Sequence, residues 1–290
     1  MQMPVRLGPP LAEPPAQARG RIEVPPVDLK WHQQLGVLNV SLLLFVVAVI
    51  CSAGVLRGSG RDLDYAGNIA RFVRNFLPPD FSVTGRTLLG LWETFQIAVM
   101  ATAFAIIASV PIAIAGAQTL SPRWLVIVAR VLMNGIRTIP SLIWALLAVA
   151  IVGPNALAGV IGLTFYSVGY LGKFFSDAFE SVDIEVARAL KALGARTIQA
   201  FQYGLWPHAK PLVWSYSLWM LEYNIRAAAI VGIVGAGGVG LQLHTYQEYH
   251  QWNKFATVLL FMFVLVSALD FLGERVRKQI VRKAVSSKSG

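Results

Sequence analysis

The sequence predicts an all-α integral membrane protein with about six spanning helices, and three observations carry that reading. Hydrophobic residues make up 56% of the chain and charged residues only 14%, against about 25% charged in a soluble domain. Apolar runs long enough to cross a bilayer, which takes about 20 residues, recur along the chain. The basic residues gather in the segments between and outside those runs. The net charge of +10 is therefore the cationic-loop signature of a membrane protein, and it argues against nucleic acid as a partner.

Residues 1–30 are rich in Pro and carry Arg6, Arg19, Arg21 and Lys30, a basic tail with too little apolar content for a core. Residues 35–56 hold no charge and form span one. Cys51 is the one cysteine, so no internal disulfide is available. From Asp62 to Phe76 the apolar positions Leu63, Ile69, Phe72, Val73 and Phe76 suit an interfacial amphipathic helix, stopped by Pro78-Pro79. Span two covers 94–122, and span three covers 124–152 with Arg130 and Arg137 inside it. Gly153-Pro154-Asn155 is turn chemistry, span four follows over 156–178, and span five over 209–234 carries Glu222 and Arg226. Residues 235–252 read as a Gly-rich loop with a polar, aromatic stretch, and span six runs over 253–273. The chain divides into a basic tail (1–30), a first span with its interfacial helix (31–82), a membrane domain (83–276) and a second basic tail (277–290).

Six spans put both termini on one face. With the termini inside, 15 Lys and Arg fall on the cytoplasmic side and six outside. That bias favours cytoplasmic termini, against the dissent of the five arginines between 57 and 86.

Gly235, Gly237 and Gly240 spell G-x-G-x-x-G, the pattern of a dinucleotide site. That site needs a strand before the glycines and an acid about 20 residues on, and Glu248 lies only eight residues past Gly240. No G-x-x-x-x-G-K-[ST] occurs either, so the chain has no P-loop for ATP. Two readings of the glycines stay open. They allow close helix packing in lipid, or they unwind the end of span five where backbone lines a cavity.

Between spans four and five lies SVDIEVARALKALGARTIQAFQYGLWP, residues 181–207. Val186, Leu190 and Leu193 recur at helical spacing, and Glu185, Arg188 and Lys191 fall on another face. Gly194 suits a left-handed helix end, and a second short helix over about 196–204 runs to Pro207. An amphipathic connector on the membrane and a knob for a soluble partner both fit this elbow.

The spacing from Arg188-Ala189-Leu190 to Gly194 and on to Pro207 resembles the E-A-A loop of ABC importer permeases, which reads E-A-A, three residues, Gly, nine residues, I-x-L-P. Arg188 stands where Glu is usual, Gly204 for the Ile and Trp206 for the Leu. Arg137-Thr138-Ile139-Pro140-Ser141 resembles the R-[ST]-I-P segment of such permeases. Glu222-Tyr223-Asn224-Ile225-Arg226 followed by GIVGAGGVG resembles the phosphonate branch in particular, as does the run from Phe76 to Phe81. The likeness covers residues 35–276.

The resemblance implies a type I ABC importer permease fold that works as a homodimer in a bacterial inner membrane. A coupling helix at about 181–206 would seat in a separate ATPase dimer, through Glu185, Arg188, Ala189, Leu190, Lys191, Gly194 and Pro207. An extracytoplasmic binding protein would deliver a phosphonate- or phosphate-type oxyanion. ATP and Mg would be used by the ATPase, leaving this chain with no cofactor and no catalytic residue. Charges within spans usually face a cavity or a partner, and Arg forks suit phosphorus oxyanions. Arg137 and Arg226 are therefore pathway candidates, with Pro140, Asn224, Glu222 and the glycines Gly235, Gly237 and Gly238 beside them. Glu222 and Arg226, four residues apart, also suit a pair along one helix. A secondary transporter would need acids at mid-span, and Glu222 is the one acid read clearly inside a span. An enzyme would need converging ligands or a nucleophile, and His32, His208, His244 and His250 lie near span edges or in loops without metal spacing. A channel subunit leaves the long elbow unexplained.

Overall fold

A computed structural model describes residues 36–57 and 64–286. The tail read over 1–30 and the last four residues lie outside them. The described chain forms two units, one ending at Asp64 and one beginning at Tyr65.

In the first unit, α1 (Val37–Ser52) continues as a 3-10 turn over Ala53–Arg57. Leu42, Leu44, Phe45 and Ile50 are all exposed on it. A helix apolar on every side needs lipid or protein around it.

In the second unit, α2 (Tyr65–Phe76) is the expected amphipathic helix. Phe72 meets Trp252 at 5.3 Å between ring centres, and Phe76 meets Phe255 at 6.5 Å. Asp80 caps the following turn by accepting from the Ser82 backbone N–H at 2.9 Å. Those Ser82 donors hold its carboxyl below the usual carboxylate range. The long α3 (Thr84–Gly116) starts earlier than the predicted span two. Its Thr87, Thr94 and Thr102 hydroxyls donate to carbonyls four residues back, which satisfies them inside an apolar bundle.

The predicted single third span is two helices, α4 (Arg123–Thr138) and α5 (Ser141–Val152), bent by 87°. Pro140 lacks a backbone N–H and forces Ile139 out of the helical region, to φ −96° and ψ 120°. The Trp144 Nε1–H donates to the Ile136 carbonyl at 3.2 Å and holds the bend. After the Asn155 cap, α6 (Ala156–Glu180) forms the centre of the unit. Gly162 and Gly172 let α5 and α4 approach it closely: an added side-chain carbon would come 2.6 Å from Ala145 Cα and 2.8 Å from Met133 Sδ respectively.

The elbow holds α7 (Ile184–Ala192) and the short α8 (Thr197–Ala200). A wide turn over Phe201–Leu205 then leads straight into α9 (Trp206–Gly232), with Pro207 in its first turn. The second elbow helix thus merges with span five through this wide turn instead of stopping at the proline. Residues 235–252, read as loop, include α10 (Val239–Glu248), whose Val239, Leu243 and Tyr246 face the core. The final helix, α11 (Trp252–Ser286), runs well past residue 273.

Phe81–Gly116, Ala156–Glu180 and Trp252–Ile280 are each long and apolar enough to cross a membrane, and the bent α4–α5 pair qualifies as a broken span. No strand occurs among the described residues, so the glycine motif has no dinucleotide fold around it. Phe175, Phe179, Leu171, Val213 and Met220 anchor the core between α3, α6 and α9.

Candidate functional site

Helix α6 presents Tyr166, Tyr170 and Phe174 at four-residue spacing, and α9 presents Tyr216, Trp219 and Tyr223 at three- and four-residue spacing. The rings form one aromatic wall. Tyr166 stacks on Tyr223 at 5.2 Å and meets Tyr170 at a tilt at 4.8 Å, and Phe174 meets Tyr216 at 5.1 Å and Trp219 at 5.6 Å. Arg137, at the last turn of α4, sets its guanidinium over the Tyr170 ring, 4.5 Å from the centroid. Its Nε is buried and has no hydrogen-bond partner.

Arg226 follows Tyr223 by three residues and Trp219 by seven, on the same stripe of α9. It pairs with Asp270 of α11 at 3.0 Å, and the side chains are 42% and 48% exposed. Glu222 pairs with Arg277, also on α11, at 3.2 Å. The two residues suited to a pair along one helix instead each reach across to α11. Glu222 is also not the only acid at membrane depth, since Asp270 lies within the Trp252–Ile280 segment.

Asn224 is fully buried. Its Nδ2 donates to Thr102 at 2.9 Å and its Oδ1 accepts from Ser167 at 3.0 Å, so it ties α9 to α3 and α6. Both ends of its amide are spent on the fold. Pro140 sits at the α4–α5 bend, one turn beyond Arg137.

The glycines form a tight turn between α9 and α10. Gly235, Gly237 and Gly238 take φ of 91°, 80° and 70°, a region closed to most residues. Gly238 packs on Thr94, whose Oγ1 accepts from the Val239 N–H at 2.8 Å. An added carbon on Gly237 would lie 2.7 Å from Glu93 Oε1. Backbone is unwound here, and it is pressed against α3 and the start of α6.

At the elbow, α7 buries Ala187 against Gly204, where an added carbon would come 3.2 Å from Ala187 Cα. Leu190 turns partly inward onto the same cluster. Glu185, Arg188, Ala189, Lys191, Ala192 and Gly194 are exposed. Of the apolar ridge expected at Val186, Leu190 and Leu193, only the first and last stay free, with Leu193 85% exposed. Gly194 takes φ 89° as a helix end requires, and Pro207 is exposed.

Residues 109–282 match the family of binding-protein-dependent transport system inner membrane components. The chain belongs to this family. The permease is 35% identical over 251 residues to the phosphite transport system permease protein PtxC of Stutzerimonas stutzeri, covering 86% of this chain and 90% of that one. It is 29% identical over 217 residues to the phosphate-import permease protein PhnE of Mycolicibacterium smegmatis, covering 74% of this chain and 41% of the relative. Its fold resembles a chain of the inward-facing MetNI methionine ABC transporter, with a TM-score of 0.62 and 23% identity over 69% of this chain and 99% of that one. As the membrane component of an ABC importer, the permease leaves ATP hydrolysis to a separate subunit.

Composition marked the apolar helices of the permease but not the aromatic wall. Tyr166 and Tyr170, and likewise Trp219 and Tyr223, stand four residues apart, a helical spacing that the sequence carries. Asp270 falls inside the predicted span six and Arg277 in the predicted second tail, and the sequence marks neither as a site residue. Arg130, counted among the in-span charges, pairs with Glu180 at 2.6 Å. Among the described residues no three His, Cys, Asp or Glu side chains converge as a metal site.

Proposed function

We propose that the permease imports phosphorus oxyanions of the phosphite, phosphonate and phosphate kind, working as a pair of identical protomers with the pathway between them. The aromatic wall with Arg137 and Arg226 at its edges is the face turned to that pathway. One observation carries this: Arg226 and Asp270 are about half exposed on helices of the membrane domain. A charged pair cannot face hydrocarbon at tolerable cost. It faces water or a partner protomer instead. The relatives named for phosphite and phosphate transport support the substrate class. In a homodimer each arginine is presented twice, and guanidinium forks suit doubly charged oxyanions. A pathway must also release what it holds, and the Asp270 partner weakens the hold of Arg226 on any anion.

The elbow seats in an ATPase dimer, which uses ATP and Mg, and a solute-binding protein docks on the opposite face. Both termini lie in the cytoplasm, in keeping with the charge bias. Glu222 and Asn224 hold the fold; Gly235, Gly237 and Gly238 shape the outer end of the wall.

The test is phosphite and phosphate uptake by proteoliposomes holding the full importer, with Arg137→Gln and Arg226→Gln variants and ATPase activity measured alongside. Uptake falling at least tenfold in either variant supports the pathway. Unchanged uptake in both removes it. A secondary carrier or channel is the other outcome: uptake by the permease alone, with no ATPase subunit, would replace the importer reading.

A further inference from the structure

Helix α4 is gripped by α6 at three points that run from the elbow to the aromatic wall. At the elbow end, Arg130 donates from Nη2 to Glu180 at 2.6 Å and from Nε to the Gly116 carbonyl at 3.2 Å. Glu180 also accepts from the Gln118 backbone N–H at 2.7 Å. In the middle, Met133 is fully buried against Gly172 and Gly116. At the far end, Arg137 lies on Tyr170, and its Cγ is 3.0 Å from where a carbon on Gly169 would sit. Arg130, Met133 and Arg137 follow i, i+3, i+7 and share one face. From Arg130 to Arg137 the helix rises about 10 Å.

Glu180 is the last residue of α6, and Asp183, which caps α7, follows three residues later. A shift of α7 therefore acts first on the Glu180 end of α6. The glycines of α6 leave no slack between it and α4, and close-packed contacts pass displacement on instead of absorbing it. The 87° bend ends the rod just beyond Arg137.

We propose that α4 is a rod that carries movement of the elbow to Arg137, and that Glu180 and Arg130 are the positioning residues that pin it. This rests on the reading of Arg137 as a pathway residue. Glu180→Gln keeps an acceptor for Gln118 and loses the charge. Arg130→Lys keeps the charge and loses the second bond, to Gly116.

The test reconstitutes the permease with its ATPase and binding protein in proteoliposomes and reads phosphite taken up per ATP hydrolysed. In both variants the ratio falls at least fivefold while ATP hydrolysis stays within twofold of the parent. A purely structural role lowers uptake and hydrolysis by one factor and leaves the ratio intact; that result, or a parental ratio with parental rates, overturns the proposal. Should Glu180→Gln fail to assemble, Arg130→Lys reads the same ratio. An Arg137→Gln arm separates the two readings: parental uptake there removes Arg137 from the pathway, whereas a lowered ratio in Glu180→Gln still marks α4 as the coupling element.

Discussion

Arg137 spends the face of its guanidinium on Tyr170, 4.5 Å away, and leaves its buried Nε without a partner. A cation over an aromatic face is held by roughly 0.5–2 kcal/mol. That is enough to fix the side chain between turnovers and too little to compete with a doubly charged anion. No carboxylate pairs with the guanidinium among the described residues. The pairing thus sets an arginine at the wall without neutralising it, unlike Arg226, which a carboxylate already meets.

Tyr170 should accordingly act through its ring and not its hydroxyl. Tyr170→Phe keeps the π face and should leave phosphite uptake within about twofold, whereas Tyr170→Ala releases Arg137 and should lower uptake about five- to tenfold, the worth of a cation–π contact of about 1–1.5 kcal/mol. Uptake by proteoliposomes of the whole importer measures both. Equal loss in the two variants would assign the effect to the hydroxyl.

The Arg226–Asp270 pair makes a prediction about stability. Asp270→Asn leaves a guanidinium uncompensated between α9 and α11. A fully buried pair broken on one side costs roughly 3–5 kcal/mol; with side chains 42% and 48% exposed, about 1–2 kcal/mol is expected here. The double variant Arg226→Gln, Asp270→Asn removes both charges and should recover most of that loss. Thermal unfolding of the detergent-solubilised permease reads the difference, and a double variant no better than the single one would rule out the pair as the cause.

What the sequence made legible follows from the physics of each element. A run without charges marks a span by composition alone, so α1 and most of α3 were readable. The break at Pro140 was written in the chain too, but the apolar run crosses it unchanged and hides an 87° bend. α10 was hidden for the opposite reason: Gln242, His244, Gln247 and Glu248 make it polar overall, while its buried stripe of Val239, Leu243 and Tyr246 carries the helical period. The partners of Glu222 and Arg226 lie 55 and 44 residues away along the chain, and no local spacing encodes which distant helix a charge meets. The elbow was legible because its helix, glycine and proline act locally, yet the side of α7 that faces inward is decided by Gly204, which leaves room for Ala187.

The glycine turn should rank its substitutions by what each new methyl meets. On Gly240 it runs into the Ala229 carbonyl and Gly232, both backbone, so Gly240→Ala should cost more than about 3 kcal/mol and leave little folded protein in the membrane. On Gly237 it meets the movable end of Glu93, and the main cost is the left-handed backbone, about 1–2 kcal/mol. Gly85 has open space around it, and Gly85→Ala should be neutral or stabilising by up to about 1 kcal/mol, the helix-propensity gain. Folded yield by size-exclusion chromatography gives the order, and a tolerated Gly240→Ala would mean that the turn is not packed as described.

The elbow offers a sharper test of docking than a single crosslink, because α7 has one face turned in and one turned out. Ala189 and Ala192 are exposed, while Ala187, 5% exposed, lies against Gly204. If α7 seats in an ATPase cleft, cysteine at Ala189 or Ala192 should crosslink to the ATPase subunit with a short bifunctional reagent, and cysteine at Ala187 should not. Arg188 stands on the docking side as well, so Arg188→Glu reverses a charge at that surface. A rim charge acts mainly on association and its salt dependence, and the variant should weaken assembly most at low ionic strength, with the deficit shrinking as salt rises. Crosslinking from Ala187 in place of Ala189 would mean that α7 presents its other face to the motor, and the contacts assigned to Glu185, Arg188 and Lys191 would have to be withdrawn.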